Sequence, residues 1–380
     1  MSISLRLIFL VLMATALGFG YTGLFVGHDV QFDFERLHIF LFNLCSGGTI
    51  LVYFTENSRK LTGAGKTFLI LSLSYALLAF YEIYLPALIV GVLLAGLVEA
   101  VRVRHFSWTP KSFFSPVISV QTKFHHAALV CLSLGLLASS LVIANNEFFF
   151  WLELSKLELN TFFLGFSVPI SLISMSVIFS QINSLGTESQ PESINRLVKM
   201  LKETCFWTIN LGVIIFFLFI LFDKLVLQVI VASILFCAVM LIYMLYRNLG
   251  NKLQQKYFLT SGMLFLVATA ITGILYIVVT FEPAYHPEKY KFLLKIHAYL
   301  SLYGWNLSGL AVIVRQHEFP IQLHSGKLVA LHWSTVLVLC PLGYYNQIFA
   351  VAAVCSYIVI LYFFLFQKGM QDASLSELSL

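Results

Sequence analysis

The ten residues Ile296–Trp305 read IHAYLSLYGW and open an apolar run that ends near Val314. Counted from residue 293, the run is long enough to cross a bilayer, and it carries His297 about one turn inside its start, followed by Tyr299. An imidazole that can take up charge is costly at that depth, so it needs a metal, a proton path or a hydrogen bond as partner. The rest of the sequence indicates which of these three partners fits.

The composition places most of the chain in lipid. Hydrophobic residues make up 59 % of the 380 residues and charged residues only 11 %, whereas a soluble domain carries about 25 % charged residues. The net charge of +5 is too dilute for nucleic acid, and the six cysteines stand singly without a C-x-x-C pair. We therefore predict an all-α, polytopic membrane protein with the lipid bilayer as partner, no nucleic acid, and no disulfide, zinc site or covalent c-type haem.

Apolar runs long enough to cross about 30 Å of hydrocarbon occur twelve times. A carboxylate, a proline and two tyrosines within Tyr81–Pro86 are typical of an interfacial turn and separate the third run from the fourth. Residues 1–380 are predicted to form a single transmembrane domain, with the first run as an uncleaved span. The expected spans lie near 6–26, 36–54, 67–82, 83–101, 124–144, 161–181, 204–222, 224–246, 257–280, 293–314, 327–342 and 346–366.

The charges of the loops predict the orientation. Lys and Arg concentrate in the loops after spans two, four, six and eight, whereas carboxylates dominate the loops after spans one and five. The positive-inside rule then places both termini in the cytoplasm. Residues 182–203 become a cytoplasmic loop between spans six and seven, and its second half, from Ile194 onward, is predicted to be a short interfacial helix.

This orientation gives each histidine a depth. His38 in span two and His297 in span ten both lie just inside the outer face, so the two rings can share one site. A b-type haem needs imidazoles at equal depth on opposing helices. His125, His126 and His332 form a separate set near the cytoplasmic side, where a ring that reaches toward the interface is expected. For each histidine, a packed ring bonded to a carbonyl is the ordinary alternative.

Three segments together resemble catalytic subunit I of the haem–copper oxidase superfamily, especially its C-family branch and the related nitric-oxide reductases. RLHIFLFNLCSGGTILVYF (36–54) resembles the second helix of that family, IHAYLSLYGW the tenth, and HEFPIQLHSGKLVALHW (317–333) the start of the eleventh. The resemblance implies an oxidase-subunit-I-like bundle of about twelve helices that binds haem b, with His297 and His38 as axial ligands of haem iron. NnrS-type membrane proteins are a more distant likeness.

Two departures from the family pattern shape these expectations. Where the family has its second tenth-helix histidine, this chain has Tyr299, which becomes a candidate ligand or hydrogen-bond donor. The copper-binding histidines of the family's sixth and seventh helices are missing from 162–181 and 204–222. We therefore expect no copper site and no oxygen reduction of the family's kind. Whether the chain is an enzyme at all stays open.

The resulting prediction is a membrane haem protein that carries out electron transfer, or handles nitric oxide or haem, with the redox chemistry supplied by the cofactor. The resemblance implies an energy-transducing membrane of the bacterial inner type. It also implies other respiratory-complex subunits, or a cytochrome or quinol donor, as partners. Two alternatives remain open. Twelve spans also fit a six-plus-six secondary transporter, and the histidines also fit a non-catalytic membrane scaffold.

Overall fold

The computed structural model describes residues 2–26, 32–152, 157–182, 192–251, 255–283, 285–318 and 325–367. These parts of the chain are 85 % helical and contain no strand; one isolated antiparallel bridge joins Ile182 to Gly250. The prediction of an all-α protein is confirmed.

Long helices follow one another along the chain, joined by short connections. We number them α1 (Ile3–Phe19), α2 (Phe34–Thr55), α3 (Gly63–Phe80), α4 (Tyr84–His105), α5 (Val120–Phe149), α6 (Leu157–Gln181), α7 (Glu192–Leu221), α8 (Leu225–Leu249), α9 (Gln255–Val279), α10 (287–314), α11 (Gly326–Gly343) and α12 (Gln347–Phe366). Within the described residues, nine helices are long and apolar enough to cross a membrane: α2 to α5, α7 to α9, α11 and α12. Such helices are compatible with the integral membrane protein that the composition predicts.

The turn predicted between the third and fourth spans is confirmed. α3 ends at Phe80 and α4 begins at Tyr84. Between them Glu82 takes a left-handed backbone conformation with φ 57°, which allows the chain to reverse direction within a few residues. The first turn of α4 contains Pro86, where a missing N–H costs nothing because the first N–H groups of a helix have no partner in it.

One part of the loop prediction is wrong: the residues from Ile194 onward do not form a separate short helix. α7 begins at Glu192 and runs without a break to Leu221, so this segment forms its first turns. Extending an existing helix needs no new nucleus, and continuity is therefore favoured over a second short helix. Residues 183–191 of the predicted loop lie outside the described residues.

Close approaches between helices centre on α6. α5 and α6 come nearest at Gly135 and Gly165, where a Cβ added to Gly135 would lie 2.5 Å from the Gly165 carbonyl oxygen. α2 and α10 also approach α6 through glycines: a Cβ on Gly47 would meet the side chain of Ile170, and one on Gly309 would meet Ser174. Small residues of this kind let membrane helices pack at short distance. The result is a tight three-helix contact of α2, α6 and α10.

Candidate functional site

Two of the helices around α6 depart from regular α-helical geometry at this contact. α2 is π-helical over Phe40–Gly48, and α10 is π-helical over Leu300–Asn306. A further π-helical segment lies in α11 at Thr335–Leu339. π-helical turns are rare and often occur at functional sites. The side chains that these segments present to α6 are therefore the first candidates for a functional site.

Five polar side chains meet there, and we call them the polar seam: Asn43 of α2, Ser167 and Ser171 of α6, and Trp305 and Asn306 of α10. Asn43 Nδ2 donates a hydrogen bond to Ser167 Oγ at 2.7 Å. Ser171 Oγ donates to Asn306 Oδ1 at 3.0 Å and accepts from Trp305 Nε1 at 3.0 Å. Because Ser167 and Ser171 are four residues apart, they lie on one face of α6. A single helix face therefore carries polar contacts to both neighbouring helices.

The seam leaves two polar atoms without partners. Asn43 is 1 % exposed and Asn306 is fully buried, yet Asn43 Oδ1 and Asn306 Nδ2 make no hydrogen bond in the described part of the chain. An unpaired buried polar atom costs about 1–3 kcal/mol, and an apolar bilayer offers it no compensation. Turning either carboxamide over exchanges its two atoms and still leaves one unpaired. Each carboxamide thus has one hydrogen-bonding atom that the described residues leave unpaired.

Part of the polar seam is exposed, because Ser167 and Ser171 are only partly buried. All five side chains are uncharged. Together they present hydroxyl and amide donors as well as hydroxyl and carboxamide acceptors. This chemistry suits a small, uncharged, hydrogen-bonding molecule better than an ion, whose desolvation would need an opposite charge.

His38, predicted as a haem ligand, lies on α2 and is 8 % exposed. Its Nδ1 is 2.8 Å from the Ala16 carbonyl oxygen of α1 and 2.8 Å from the Tyr303 hydroxyl of α10. Gly20, just after α1, closes over the ring: a Cβ there would lie 3.2 Å from the same nitrogen. The His38 ring is thus packed and hydrogen-bonded between α1 and α10.

His297, the other predicted ligand, faces α9. Its Nδ1 is 3.0 Å from the Thr269 carbonyl oxygen, and a Cβ on Gly273 would lie 3.0 Å from the ring. Tyr299 points elsewhere, with its ring centroid 6.1 Å from that of Tyr21 beside α1. The divergence of positions 297 and 299 agrees with their separation of about 200° around a helix.

The structure therefore does not bring His38 and His297 together. Six-coordinate haem would need both rings on opposite faces of one porphyrin, but here each ring contacts a different helix. The Tyr303 hydroxyl lies within hydrogen-bonding distance of His38, so no porphyrin fits between the two side chains. As arranged, these residues do not fit a bis-histidine haem.

The inner histidines are more buried than expected. We predicted rings reaching toward the interface, but His332 and His126 are 1 % and 0 % exposed. His332 Nε2 lies 2.6 Å from the Tyr303 carbonyl oxygen, and His126 lies 2.8 Å from both Arg102 Nη1 and Ser112 Oγ. His125 bonds Thr55 Oγ1 at 2.8 Å. Direct hydrogen bonds remove the need for these rings to reach water.

No family model, curated protein or solved structure matches this chain. The likeness to haem–copper oxidase subunits therefore rests on three short sequence segments alone. Function has to be argued from the chemistry of the site.

The polar seam was missed at the sequence level, although a signal for it exists. The spacing of Ser167, Ser171 and Ser174 gives three hydroxyls on one face of α6. Asn43 and Asn306 are the carboxamides within the apolar stretches of α2 and α10. A polar residue inside an apolar helix needs a hydrogen-bond partner, as a histidine there does, and is therefore a candidate site residue.

Proposed function

We propose that the protein is a membrane transport protein that passes a small, uncharged, hydrogen-bonding solute between α2, α6 and α10. The observation that carries the proposal is the pair of buried, half-satisfied carboxamides, Asn43 and Asn306, on either side of the α6 serines. A solute with one donor and one acceptor would complete both hydrogen-bonding sets. In this proposal all twelve helices cross the membrane and both termini are cytoplasmic, as the loop charges predict.

The π-helical segments support this proposal. Transporters bind solutes where membrane helices depart from regular geometry, and π-helical turns often occur at functional sites. Asn43 lies within the π-helical part of α2, and Trp305 and Asn306 lie within that of α10. The proposed binding residues and the irregular helix geometry thus lie in the same layer of the bundle.

Solute flux through the purified protein tests the proposal. We expect proteoliposomes to equilibrate urea or glycerol several-fold faster than protein-free vesicles, measured by stopped-flow light scattering after a solute jump. Asn43→Leu and Asn306→Leu should each lower the protein-dependent rate about tenfold, because one lost hydrogen bond of about 1.4 kcal/mol corresponds to that factor. Their melting temperatures should stay near wild type, since leucine also removes an unpaired buried atom.

Asn210→Leu provides the matched control. Asn210 lies on α7 and donates to the Phe206 carbonyl of its own helix, so the same substitution there should leave flux unchanged. Equal loss in this variant, or wild-type flux in both seam variants, would contradict the proposal. Vesicles that admit none of the small neutral solutes faster than lipid alone would also contradict it.

A second proposal keeps haem b, with His38 as its one axial ligand. The observation in its favour is the hydrogen bond from His38 Nδ1 to a backbone carbonyl, which fixes the ring and leaves Nε2, 3.4 Å from the Tyr303 hydroxyl, as the atom for a metal. Aromatic side chains surround the ring, with the Tyr303 centroid at 5.6 Å. Binding would require Tyr303 to move away from His38.

A reduced-minus-oxidised optical spectrum with a pyridine haemochrome assay tests this second proposal. We expect a b-type signal that is lost in His38→Ala and retained in His297→Ala, because the His297 ring faces α9. Loss in both variants would instead support the six-coordinate pair predicted from the sequence. A colourless protein with normal helix content would rule out haem at this site.

A further inference from the structure

A groove of about 540 Å³ lies at one end of the bundle, between the α4–α5 connection and α7. Phe113 and Phe114 line one side of it, and Trp207 and Leu211 line the other. The Phe114 and Trp207 rings are 5.0 Å apart, which ties the connection to α7. The groove is therefore mainly apolar, and it opens at the level where the apolar part of α7 begins.

Charge is placed unevenly around this groove. Lys123 is 2 % exposed, and its Nζ contacts both carboxylate oxygens of Glu203 at 2.8 Å. This ion pair has no net charge. Lys199, one turn before Glu203 on α7, also lines the groove and is exposed. Among the described carboxylates, none lies within ion-pair distance of Lys199, so one positive charge is left at the rim.

The surroundings of the groove fit a membrane interface. Trp108, Phe114 and Val117, all in the α4–α5 connection, are 78 %, 75 % and 88 % exposed. Exposed apolar side chains clustered in one connection would be unfavourable in water. Tryptophan and lysine beside apolar surface are typical of the headgroup region, where apolar parts enter the bilayer and the charge stays near phosphate. The loop charges place this connection on the cytoplasmic side, where anionic lipid is concentrated.

We propose that this groove binds one anionic phospholipid. An acyl chain lies along Phe113, Trp207 and Leu211, and the phosphate pairs with Lys199. Among the described lining residues, one unpaired cation stands beside apolar walls at the bilayer boundary, and this combination favours a lipid over a protein. A neutral or zwitterionic lipid would fill the same apolar walls but would gain less from Lys199. The inference is independent of the polar seam and of what passes through it.

The test uses the purified full-length protein in detergent, titrated with phosphatidylglycerol or phosphatidylcholine of the same chain length. Thermal stability and native mass spectrometry report binding. We expect phosphatidylglycerol to bind more tightly than phosphatidylcholine, and Lys199→Gln to weaken its binding about fivefold, the effect of one interfacial charge. Lys224→Gln, which removes an exposed lysine at the other end of α7, should leave binding unchanged.

Three outcomes would overturn the proposal. The two lipids could bind equally well, which would show that Lys199 does not select a phosphate. Lys224→Gln could weaken binding as much as Lys199→Gln, which would indicate a diffuse charge effect. Inorganic phosphate alone could reproduce the stabilisation, which would indicate an anion site and not a lipid site.

Discussion

Gly135→Leu is expected to destabilise the folded protein by at least about 3 kcal/mol, at the upper end of what overpacking costs. A Cβ on Gly135 would lie 2.5 Å from the carbonyl oxygen of Gly165 and 2.8 Å from its Cα. These are backbone atoms of a facing helix, so no side chain can turn away to make room. α5 and α6 would have to separate, and α6 is the helix on which α2 and α10 pack.

Gly96→Leu is the control for this prediction. Gly96 lies on α4, and a Cβ there would meet no atom within 4 Å. The same leucine should not destabilise the protein, because replacing a glycine inside a helix favours the helix by about 0.5–1 kcal/mol. Melting temperature and the monodisperse fraction in size-exclusion chromatography are the measurements. A Gly135→Leu protein as stable as Gly96→Leu would show that the α5–α6 contact does not hold the bundle together.

The sequence predicted helices and their ends well where the signal is local. Apolar run length, together with proline and tyrosine at Tyr81–Pro86, was enough to separate α3 from α4. Glycines within an apolar run also permit a helix to pack closely on a neighbour. In the structure Gly47 faces Ile170 and Gly48 faces Phe68, so at these positions neighbouring side chains provide the contact.

The direction in which a side chain points proved harder to predict than its depth. Depth follows from position along a span, so His38 and His297 could be placed in the same layer. Rotation depends on which neighbour a helix packs against. His38 turns toward Ala16 and Tyr303, whereas His297 turns toward Thr269. A π-helical segment such as Leu300–Asn306 also shifts every later side chain around the axis, and the apolar pattern of the sequence does not predict it.

The polar seam was overlooked for a different reason. Hydroxyl side chains in membrane helices ordinarily bond to their own backbone, as Thr49 does to the Cys45 carbonyl and Ser174 to that of Ile170. Their presence alone therefore carries little information about a site. What distinguishes Ser167 and Ser171 is that both bond to side chains of other helices, and that distinction requires the tertiary structure.

A second polar network joins three helix ends, and its removal is expected to lower the stability of the protein strongly. Arg315, just after α10, is 1 % exposed and donates to the carbonyl oxygens of Phe364 and Gln367 at the end of α12. Its Nε donates to Glu318 Oε2 at 2.7 Å. Arg6 of α1 pairs with the other oxygen of Glu318 at 2.6 Å. Glu318 thus links two arginines, and Arg315 binds C-terminal carbonyls that a helix leaves unpaired.

Arg315→Ala is expected to cost about 3–5 kcal/mol, because the Phe364 and Gln367 carbonyl oxygens lose the guanidinium as donor and Glu318 loses one of its two arginines. Loss of α12 from its contact with α1 should accompany it, detectable as faster proteolysis near the C-terminal end of α12. Arg247→Ala, which removes an exposed arginine of α8, should change stability by less than about 0.5 kcal/mol. Similar melting temperatures for the two variants would contradict a structural role for the network.

The pH dependence of stability separates the charge of Glu318 from its packing. Burial alone would raise the pKa of Glu318, but Arg315 and Arg6 outweigh it and hold that pKa below its ordinary value. A carboxyl with a lowered folded-state pKa stabilises the fold fully above its unfolded pKa of about 4.3, and that contribution is lost as pH falls through the folded value. Glu318→Gln should therefore be less stable than wild type at neutral pH and approach it under acid conditions. Glu288→Gln is the control, because that carboxylate is 85 % exposed, and it should match wild type at every pH. A constant difference between wild type and Glu318→Gln across the pH range would show that Glu318 acts through packing alone.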